Sequence, residues 1–343
     1  MIKEAIGLLV SGQSLTMEQA SEVMEEITGS QATPAQFGAF VTALRIKGET
    51  AGEIAGLARV MRDKAIRVET TAPVIDIVGT GGDNSNTFNI STAAAFVAAG
   101  AGLKVAKHNN RAMTSHCGSA DVLEALGMKI DLDAGGVQSC LEQVGIGFMF
   151  APGFHPAMKF AATPRREIGI RTVFNILGPL TNPARAESMV IGVPSEELGE
   201  KIVQVLYNLG STHSLVVHGL NGMDEISITT KSRVWELREG KITDYYVSPE
   251  DFGLATTGAE SIRGGTPAEN AVMLRSVLEG EKGPRREVVL MNAAAGMVAG
   301  GQTESRLGLQ ALKEGVEIAA VVIDSGQARD KLQQLIQLTQ SLW

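Results

Sequence analysis

The segment that most constrains the fold is a mostly apolar run that ends in a glycine-rich turn and leads to a helix start. Residues 74–78 suit a parallel β-strand covered on both faces, and residues 79–83, of sequence GTGGD, follow directly. Glycines let the chain turn sharply and bring backbone N–H groups close to a ligand. Ser91 and Thr92 then open the Ala-rich segment 93–99 as helix-start residues. Together these features predict an anion cradle, most often one for phosphate.

The glycine loop matches neither of the common nucleotide-binding motifs. A Walker-type loop would continue with Gly-Lys-Ser/Thr, and the dinucleotide fingerprint would need a glycine where Asn84 stands. A plain glycine-rich turn between packed elements therefore stays open as an alternative. Asp83 favours a ligand, because a carboxylate beside a phosphate cradle indicates a bridging metal or a sugar hydroxyl.

The order of predicted elements indicates an α/β protein preceded by a small helical unit. Residues 1–70 show only helical spacing, with helix starts at Thr16, Thr33 and Thr50. Beyond Pro73, strands are predicted at 74–78, 103–106, 146–150, 189–193, 214–217, 226–229, 233–238 and 241–247. Helices are predicted at 91–100, 119–126, 134–144, 196–209, 267–279, 285–299, 304–315 and 325–341.

This pattern predicts two domains, a helical domain over residues 1–70 and an α/β domain over residues 71–343. Alternation of strands and helices favours a mostly parallel central sheet, with a short antiparallel excursion at its end. A segment near 165–185 is expected to cross back to the helical domain. An uncovered apolar face on that helical domain would favour dimerisation.

Composition and charge argue against several classes of protein. The chain has 343 residues, enough for about two domains and a large core. A net charge of −8 and an isoelectric point near 5.3 argue against a nucleic-acid-binding protein with a basic stripe. Two cysteines are too few for a disulfide framework, which favours a cytoplasmic setting. The sequence shows neither a signal-peptide pattern nor an apolar run of transmembrane length.

A basic cluster follows the predicted strand 103–106. Residues 107–111, of sequence KHNNR, would form a loop at the carboxyl end of that strand, where ligands of open α/β sheets bind. A positive loop in an acidic protein suits a polyanionic ligand. Ser119 and Asp121 can start the next helix, and for Asp121 capping and ligand contact are weighed equally.

Two further clusters carry charge. The run 164–172, of sequence PRREIGIRT, holds three arginines, and one that faces a pocket could bind a carboxylate through two hydrogen bonds. The adjacent carboxylates Asp224 and Glu225 follow the predicted strand 214–217. Mg²⁺ is held by one or two carboxylates together with phosphate oxygens and water, so this pair is a candidate metal site.

In this order and at these spacings the clusters resemble the anthranilate phosphoribosyltransferase family over nearly the whole chain. The shared motifs are GTGGD, the N-x-S-T run at 89–92, the basic cluster, the Arg-rich run into NILGPLTNP, and the Asp-Glu pair. The resemblance implies transfer of the phosphoribosyl group of 5-phosphoribosyl 1-pyrophosphate to anthranilate, in tryptophan biosynthesis. It also implies a helical domain joined to an α/β domain of the nucleoside phosphorylase and phosphoribosyltransferase type, and a cytoplasmic homodimer formed through the helical domain.

The resemblance further implies which residues form the site. The phosphoribosyl pyrophosphate site would comprise Gly79, Gly82, Asp83, Thr87, Asn89, Ile90, Ser91, Thr92, Lys107, His108, Asn109, Asn110, Arg111, Ala112, Met113, Thr114, Ser115 and Ser119. The anthranilate site and its entry channel would comprise Gly79, His108, Asn110, His155, Met158, Arg165, Gly178 and Pro179. Ser91, Asp224 and Glu225 would hold the cofactor Mg²⁺, with roughly two ions per subunit.

The basic cluster departs from the family pattern at one position. The family usually has glycine between the His and the Asn, and here Asn109 stands there. Asn tolerates a left-handed backbone better than most residues, so we expect the loop to keep its shape with less freedom to move. His116 and Cys117 also stand where a basic and a small residue are expected.

Three alternatives remain open from the sequence. A pyrimidine nucleoside phosphorylase shares the architecture, but it would use inorganic phosphate and would not need Asp224 and Glu225. A phosphoribosyl transfer to a pyridine ring would need only a different acceptor pocket. A non-catalytic nucleic-acid-binding relative on the same fold would want a basic groove, which the acidic isoelectric point supports poorly.

Overall fold

The N-terminal part of the chain is a bundle of four helices with sharply defined starts. The structure, a computed structural model, describes residues 1–112 and 116–342. The helices are α1 (Ile2–Val10), α2 (Met17–Thr28), α3 (Pro34–Lys47) and α4 (Ala51–Lys64). Thr16, Thr33 and Thr50 each cap the following helix in a reciprocal capping box, which confirms the three predicted starts.

The rest of the chain alternates strands and helices before it ends in a helical tail. The strands are β1 (Ile75–Gly79), β2 (Val105–Asn109), β3 (Ile146–Phe150), β4 (Ser188–Gly192), β5 (His213–Gly219), β6 (Ser232–Arg238) and β7 (Lys241–Val247). The helices are α5 (Ile90–Gly100), α6 (Ser119–Ala125), α7 (Ala134–Gln143), α8 (Ala151–Phe154), α9 (Lys159–Ile168), α10 (Phe174–Leu177), α11 (Glu196–Asn208), α12 (Pro267–Leu278), α13 (Pro284–Ala299), α14 (Gly308–Asp324) and α15 (Gln327–Ser341).

The strands form one mostly parallel sheet in the order β3-β2-β1-β4-β5-β6-β7. Strands β1 to β5 run parallel, and β6 and β7 add an antiparallel edge. The chain moves outward from β1 to β3 and then returns to place β4 on the other side of β1. Crevices at such a reversal, at the carboxyl ends of the strands, are where open α/β sheets bind ligands. The predicted fold class, a small helical domain plus an α/β domain with a mostly parallel sheet, is confirmed.

The basic cluster lies partly inside a strand, so the prediction that it forms a loop after residue 106 is wrong. Leu103 still closes the turn after α5, with its N–H donating to Ala98 O over 3.2 Å. Strand β2 then pairs with β3 from Val105 to Asn109. A lysine is tolerated in this buried strand because its ammonium group finds a carbonyl oxygen on β1 (Lys107 Nζ to Ile77 O, 2.6 Å).

Two other predicted elements are also corrected. Residues 226–229 form no strand, because Ile226 pairs with a side chain: its N–H donates to Asn292 Oδ1 (2.8 Å) and its carbonyl accepts from Asn292 Nδ2 (2.9 Å). The helix predicted at 304–315 begins at Gly308 and runs on to Asp324. Residues before it are held in a turn, in which Ser305 N donates to the Glu314 carboxylate over 2.8 Å.

Residues between β3 and β4 pack against the helical bundle. The Phe37 and Phe174 rings lie 5.2 Å apart, and Arg62 Nε donates to Leu180 O over 2.6 Å. The division of the chain at residue 70 and the crossing segment at 165–185 stay predictions, with these contacts in their favour. Among the described residues, no helix is both long and apolar enough to cross a membrane.

Candidate active site

The glycine loop after β1 is tied to the neighbouring strand and to the loop after β5. Thr80 N–H donates to Gly192 O at the end of β4 (2.9 Å), and Gly81 N–H donates to Asp224 Oδ2 (2.8 Å). Gly82 has a φ of +79°, a left-handed conformation that favours glycine. The turn therefore holds backbone amides and a carboxylate together at the carboxyl edge of the sheet.

Asp224 reaches this position only because two strand ends carry no side chain. A Cβ on Gly79 would overlap the Asp224 carboxylate, and a Cβ on Gly192 would overlap the Asp224 carbonyl oxygen. The predicted site residue at position 79 is thus a glycine because the Asp224 carboxylate approaches its Cα closely. The Gly192 requirement was not foreseen from the sequence.

Three carboxylates gather beside the glycine loop. Burial, and next the nearby Asp83 charge, raise the pKa of Asp224 to about 7. Burial and the Asp224 charge raise the pKa of Glu225 well above its usual value, against the opposing influence of Lys107. One Asp83 oxygen, Oδ2, is buried without a hydrogen-bond partner. A bound cation would reduce the electrostatic repulsion among these carboxylates.

The donor set fits a hard divalent cation such as Mg²⁺. All three side chains offer oxygen ligands, and the unpartnered Asp83 oxygen has coordination capacity to spare. Over residues 1–112 and 116–342, no group of three or more His, Cys, Asp or Glu side chains could hold a metal by itself. Mg²⁺ is commonly held by one or two carboxylates, with substrate oxygens and water as its other ligands.

The N-terminus of α5 faces the same carboxylates. Ser91 N–H donates to Glu225 Oε1 over 3.1 Å, and Ile90 is the first residue of the helix. The preceding Thr87 pairs with Arg263 in an isolated antiparallel bridge. Of the predicted residues 87–92, Ser91 is thus brought next to Glu225, at a helix end that favours anions.

Ser119, at the start of α6, links α5 to β2. Its hydroxyl oxygen accepts from Thr92 Oγ1 (3.1 Å) and from Asn109 Nδ2 (2.9 Å). A hydroxyl has two acceptor positions and one proton. Because both acceptor positions are filled by protein, the Ser119 proton is the part left to donate to an anionic ligand.

Lys107 and Asp76 are buried ionisable residues on the neighbouring strands β2 and β1, and each influences the pKa of the other. Burial lowers the pKa of Lys107, against the attraction of Asp76 and Glu225. Burial likewise raises the pKa of Asp76 to about 6, although Lys107 and a hydrogen bond from Asn182 oppose the rise. Asp76 also accepts from His108 N–H over 3.3 Å. The hydrogen bonds from Lys107 to Ile77 O and from His108 N–H to Asp76 therefore join β2 to β1 where the basic cluster begins.

Two buried histidines, both from the predicted anthranilate site, contact each other. His108 Nε2 and His155 Nε2 lie 3.2 Å apart, and His108 Nδ1 lies 3.2 Å from Gly178 O. Burial lowers the pKa of His108 to about 3 and that of His155 to about 4. Both rings are therefore neutral at physiological pH and form a polar but uncharged wall.

The histidine pair makes stability depend on pH. In the unfolded chain each ring binds a proton below its usual pKa of 6.5, whereas in the folded chain His155 stays neutral down to about 4. Stability is then lost as the pH falls through this window. We expect His155→Asn to lower the slope of unfolding free energy against pH by up to about 1.4 kcal/mol per pH unit between about pH 4.5 and 6.

Denaturant unfolding at several pH values measures this slope. His116→Asn, the same change at an exposed histidine outside the buried pair, is the matched control. An equal slope in His155→Asn and the wild-type protein would show that this ring does not stay neutral on folding.

Arg165, on α9, contacts Phe174, the first residue of α10. Its guanidinium group is 5.6 Å from the centre of the Phe174 ring, and Nη2 lies 3.4 Å from Phe174 O. Burial lowers the pKa of Arg165. The half-buried Met158 precedes α9, and Pro179 is buried just after α10. The structure thus brings Arg165 and the histidines around one short helix, α10.

The end of the basic cluster turns partly away from the site. Arg111 pairs with Asp121 and Glu124, at 3.0 Å and 2.7 Å. Asp121 accepts from Ala112 N–H and Gly118 N–H, so the capping alternative for Asp121 is confirmed. Asn110 is exposed. The predicted residues Met113, Thr114 and Ser115 lie outside the described residues.

Asn109 needs no left-handed conformation. It is the last residue of β2, paired with Phe150, and it is not among the residues of positive φ. The tolerance of Asn for a left-handed backbone is therefore not used at this position, where the side chain contacts Ser119 over 2.9 Å. The expected loss of loop freedom stays a prediction.

Sequence reasoning missed two residues that shape the site. Arg171 Nη2 donates to Gly81 O over 3.1 Å, and its guanidinium group fills the space beside Gly82 that a Cβ would take. Asn182 Nδ2 donates to Asp76 Oδ2 over 2.8 Å. Both lie in the motifs singled out above, but only the fold shows which side chain faces the loop.

Comparisons with known proteins agree over the whole length. A model described as "Glycosyl transferase family, a/b domain" matches residues 71–329, and one described as "Glycosyl transferase family, helical bundle domain" matches residues 3–65. An anthranilate phosphoribosyltransferase of Dehalococcoides mccartyi is 59% identical over 344 aligned positions, which cover 100% of this chain and 99% of the relative.

Solved structures show the same similarity. The crystal structure of anthranilate phosphoribosyltransferase from Thermus thermophilus matches with a TM-score of 0.91 and 43% identity, covering 98% of this chain and 99% of that one. The enzyme from Saccharomyces cerevisiae in complex with PRPP and Mg matches with a TM-score of 0.89 and 30% identity, covering 99% and 98%.

Proposed function

The chain belongs to the anthranilate phosphoribosyltransferase family, and on that premise we propose that it transfers the phosphoribosyl group of 5-phosphoribosyl 1-pyrophosphate to anthranilate in a Mg²⁺-dependent reaction. The products are N-(5-phosphoribosyl)anthranilate and pyrophosphate. The chain is an enzyme, a glycosyltransferase of tryptophan biosynthesis.

One observation carries the proposal most strongly. The glycine loop, the N-terminus of α5 and the pair Asp224-Glu225 meet through two hydrogen bonds, Gly81 N to Asp224 (2.8 Å) and Ser91 N to Glu225 (3.1 Å). Backbone amides suit phosphate oxygens, and carboxylates suit a cation that bridges to them. A diphosphate chelated by a divalent cation combines both preferences.

We assign the metal site to the three carboxylates that lie beside the glycine loop. Asp224 and Glu225, with the hydroxyl of Ser91, would hold Mg²⁺, and Asp83 supplies a further oxygen. When bound, the ion would neutralise charge on the pyrophosphate leaving group.

The chain's own residues would bind and orient the two substrates. The α5 N-terminus and the Ser119 proton favour the negative charge that builds on pyrophosphate as its bond to C1 of the ribose breaks. Lys107 adds positive charge beneath Glu225. The anthranilate amine is already a nucleophile, so no covalent enzyme intermediate is needed and positioning supplies much of the rate.

The acceptor would lie between Arg165 and the histidine wall. A guanidinium group binds a carboxylate strongly, and partial burial strengthens that preference. The neutral rings of His108 and His155 can line the pocket without competing for the carboxylate or repelling Arg165. This arrangement would turn the amine of anthranilate toward the ribose.

We therefore expect Arg165→Ala to raise the KM for anthranilate at least about tenfold, since a hydrogen bond to a charged group contributes about 1.5–3 kcal/mol. The KM for phosphoribosyl pyrophosphate should change little. Steady-state kinetics with each substrate varied in turn measures both values. Exposed Arg166 on the same helix is the control, because Arg166→Ala should leave both values unchanged. A rise confined to the donor would place Arg165 in the other half of the site.

The proposal is tested most simply by fluorescence. Anthranilate should lose its fluorescence when it is mixed with phosphoribosyl pyrophosphate, Mg²⁺ and the protein, and should keep it when any one of the three is left out. Persistent fluorescence in the complete mixture would contradict the proposed reaction.

We also propose a cytoplasmic homodimer that associates through the helical domain. Cys117 and Cys140 are free thiols, as a reducing compartment favours. Val10 and Ile46 on the helical bundle are 73% and 81% exposed, which leaves apolar surface for a partner copy. Sedimentation of the wild-type protein beside a Val10→Glu and Ile46→Glu variant would test the interface; a dimer that survives both changes contradicts it.

A further inference from the structure

Asn270, on α12, is a buried residue that the described mechanism does not use. It is 1% exposed and lies one turn into its helix. Its Oδ1 accepts from Gly265 N–H over 2.7 Å, and its Nδ2 donates to Asn89 Oδ1 over 2.9 Å. A buried carboxamide with partners at both ends fixes the groups that it joins.

Asn89 in turn connects two helix starts. It immediately precedes α5, and its Nδ2 donates to Cys117 O, next to the N-cap of α6, over 3.2 Å. Its side chain makes no capping bond to α5. One carboxamide therefore joins α12, the start of α5 and the start of α6, and both of the latter helices contribute predicted pyrophosphate contacts.

The two bonds fix the plane of the Asn89 amide. Its oxygen is held by Asn270 and one of its N–H groups by Cys117 O. An amide nitrogen has two protons, and a fixed amide plane sets the direction of both N–H groups. A donor held in advance in this way costs no reorganisation when an anion binds.

We propose that Asn270 is a positioning residue for the sugar donor: it orients the Asn89 amide and keeps the starts of α5 and α6 in register for the pyrophosphate. This inference rests on the proposed function. In this proposal Asn270 does not contact the sugar donor itself and acts only through Asn89. The hydrogen bond between Asn270 and Gly265 has a separate, structural role. It holds residues 262–265 beside the segment that precedes α5, where Phe88 N–H donates to Ile262 O (3.1 Å).

Two substitutions separate these roles. Asn270→Asp keeps an oxygen for Gly265 N–H but sets a carboxylate oxygen against Asn89 Oδ1. Asn270→Ala removes both contacts. If positioning is the role, Asn270→Asp should raise the KM for phosphoribosyl pyrophosphate about tenfold, at least as much as Asn270→Ala does, with less than about a twofold change for anthranilate. If Asn270 only supports the loop, Asn270→Asp should resemble the wild-type protein, and that result overturns the proposal.

A double-mutant cycle provides the readout that general destabilisation would not move. In an Asn89→Ala background, Asn270→Asp should produce no further rise in donor KM, because the residue through which it acts is gone. Additive effects would contradict the proposal. Val277→Ala, two turns along α12 and equally buried, controls for weakened helix packing and should leave both KM values unchanged.

A structure of the Asn270→Asp protein gives a test that needs no activity. The Asn89 side chain should rotate and lose its contact to Cys117 O. If that contact persists unchanged, the inference is wrong even if the donor binds. A wild-type protein that fails to bind phosphoribosyl pyrophosphate in calorimetry would contradict the proposed function instead, so the two failures are distinct.

Discussion

Replacement of Asp224 by Asn together with Glu225 by Gln will lower Mg²⁺-dependent turnover by at least about a hundredfold, as loss of preorganised charge stabilisation commonly does. Both side chains lie beside the glycine loop, and both pKa values are raised by burial and by neighbouring negative charge. The amides keep the size of the carboxylates but cannot hold a cation with the same strength. Initial rates over a Mg²⁺ titration measure the effect.

The same substitutions should make the protein without ligand more stable. Removing two repelling, partly buried negative charges relieves a cost of folding, so the melting temperature should rise by a few degrees while activity falls. A higher melting temperature together with a lower activity would show that function is lost without loss of the fold. Gln at both Glu196 and Glu197, a neighbouring acidic pair at the start of α11, is the control: it should leave activity unchanged and should not raise the melting temperature. Full activity in the Asp224 and Glu225 variant would refute the assigned metal site.

Gly192→Ala will have an effect of similar size for a steric reason. The new Cβ would overlap the carbonyl oxygen and carbon of Asp224, which are backbone atoms and cannot rotate away. Either β4 or the Asp224 loop must shift, and a displacement of about 1 Å in a positioning group costs on the order of a hundredfold in rate. We therefore expect kcat/KM to fall by that amount, with a lower melting temperature.

Gly258→Ala is the matched control for this change. A Cβ there has open space around it, and the backbone φ of −76° suits any residue. It should retain wild-type activity. If Gly192→Ala were as active as Gly258→Ala, the close approach between β4 and Asp224 would have no part in catalysis.

Local signals made much of the fold predictable. The apolar run before the glycines, the Thr caps at Thr16, Thr33 and Thr50, and the alternation of strands and helices each depend on neighbouring residues alone. These signals located β1, its loop and α5 to within about two residues.

Predictions failed where a distant partner decides the local structure. Lys107 looks like a loop residue until Ile77 O on β1 accepts a hydrogen bond from its ammonium group and the Asp76 charge lies near it. Residues 226–229 look like a strand, but the backbone N–H and C=O of Ile226 bond to the side chain of Asn292 instead of to another strand. Neither partner can be recognised from the sequence, because its effect depends on which strands and helices become neighbours.

The site shows the same division. Motifs pointed to the glycine loop and to the Asp-Glu pair, since both have recognisable chemistry at a strand end. Arg171 lies in the arginine-rich run, but its role beside Gly82 follows only from the fold, and Asn270, whose carboxamide contacts Asn89, lies in none of the motifs. Residues that position a site from another helix or loop are the ones that a single sequence does not reveal.

The most direct test of the central claim is a crystal structure with phosphoribosyl pyrophosphate and Mg²⁺ bound. We predict that the pyrophosphate lies between the glycine loop 79–83 and the N-terminus of α5, with the metal on the side of Asp224 and Glu225. The anomeric carbon should then face Arg165 and the histidine wall. A donor bound at another edge of the sheet, or a metal held without Asp224 and Glu225, would contradict the account.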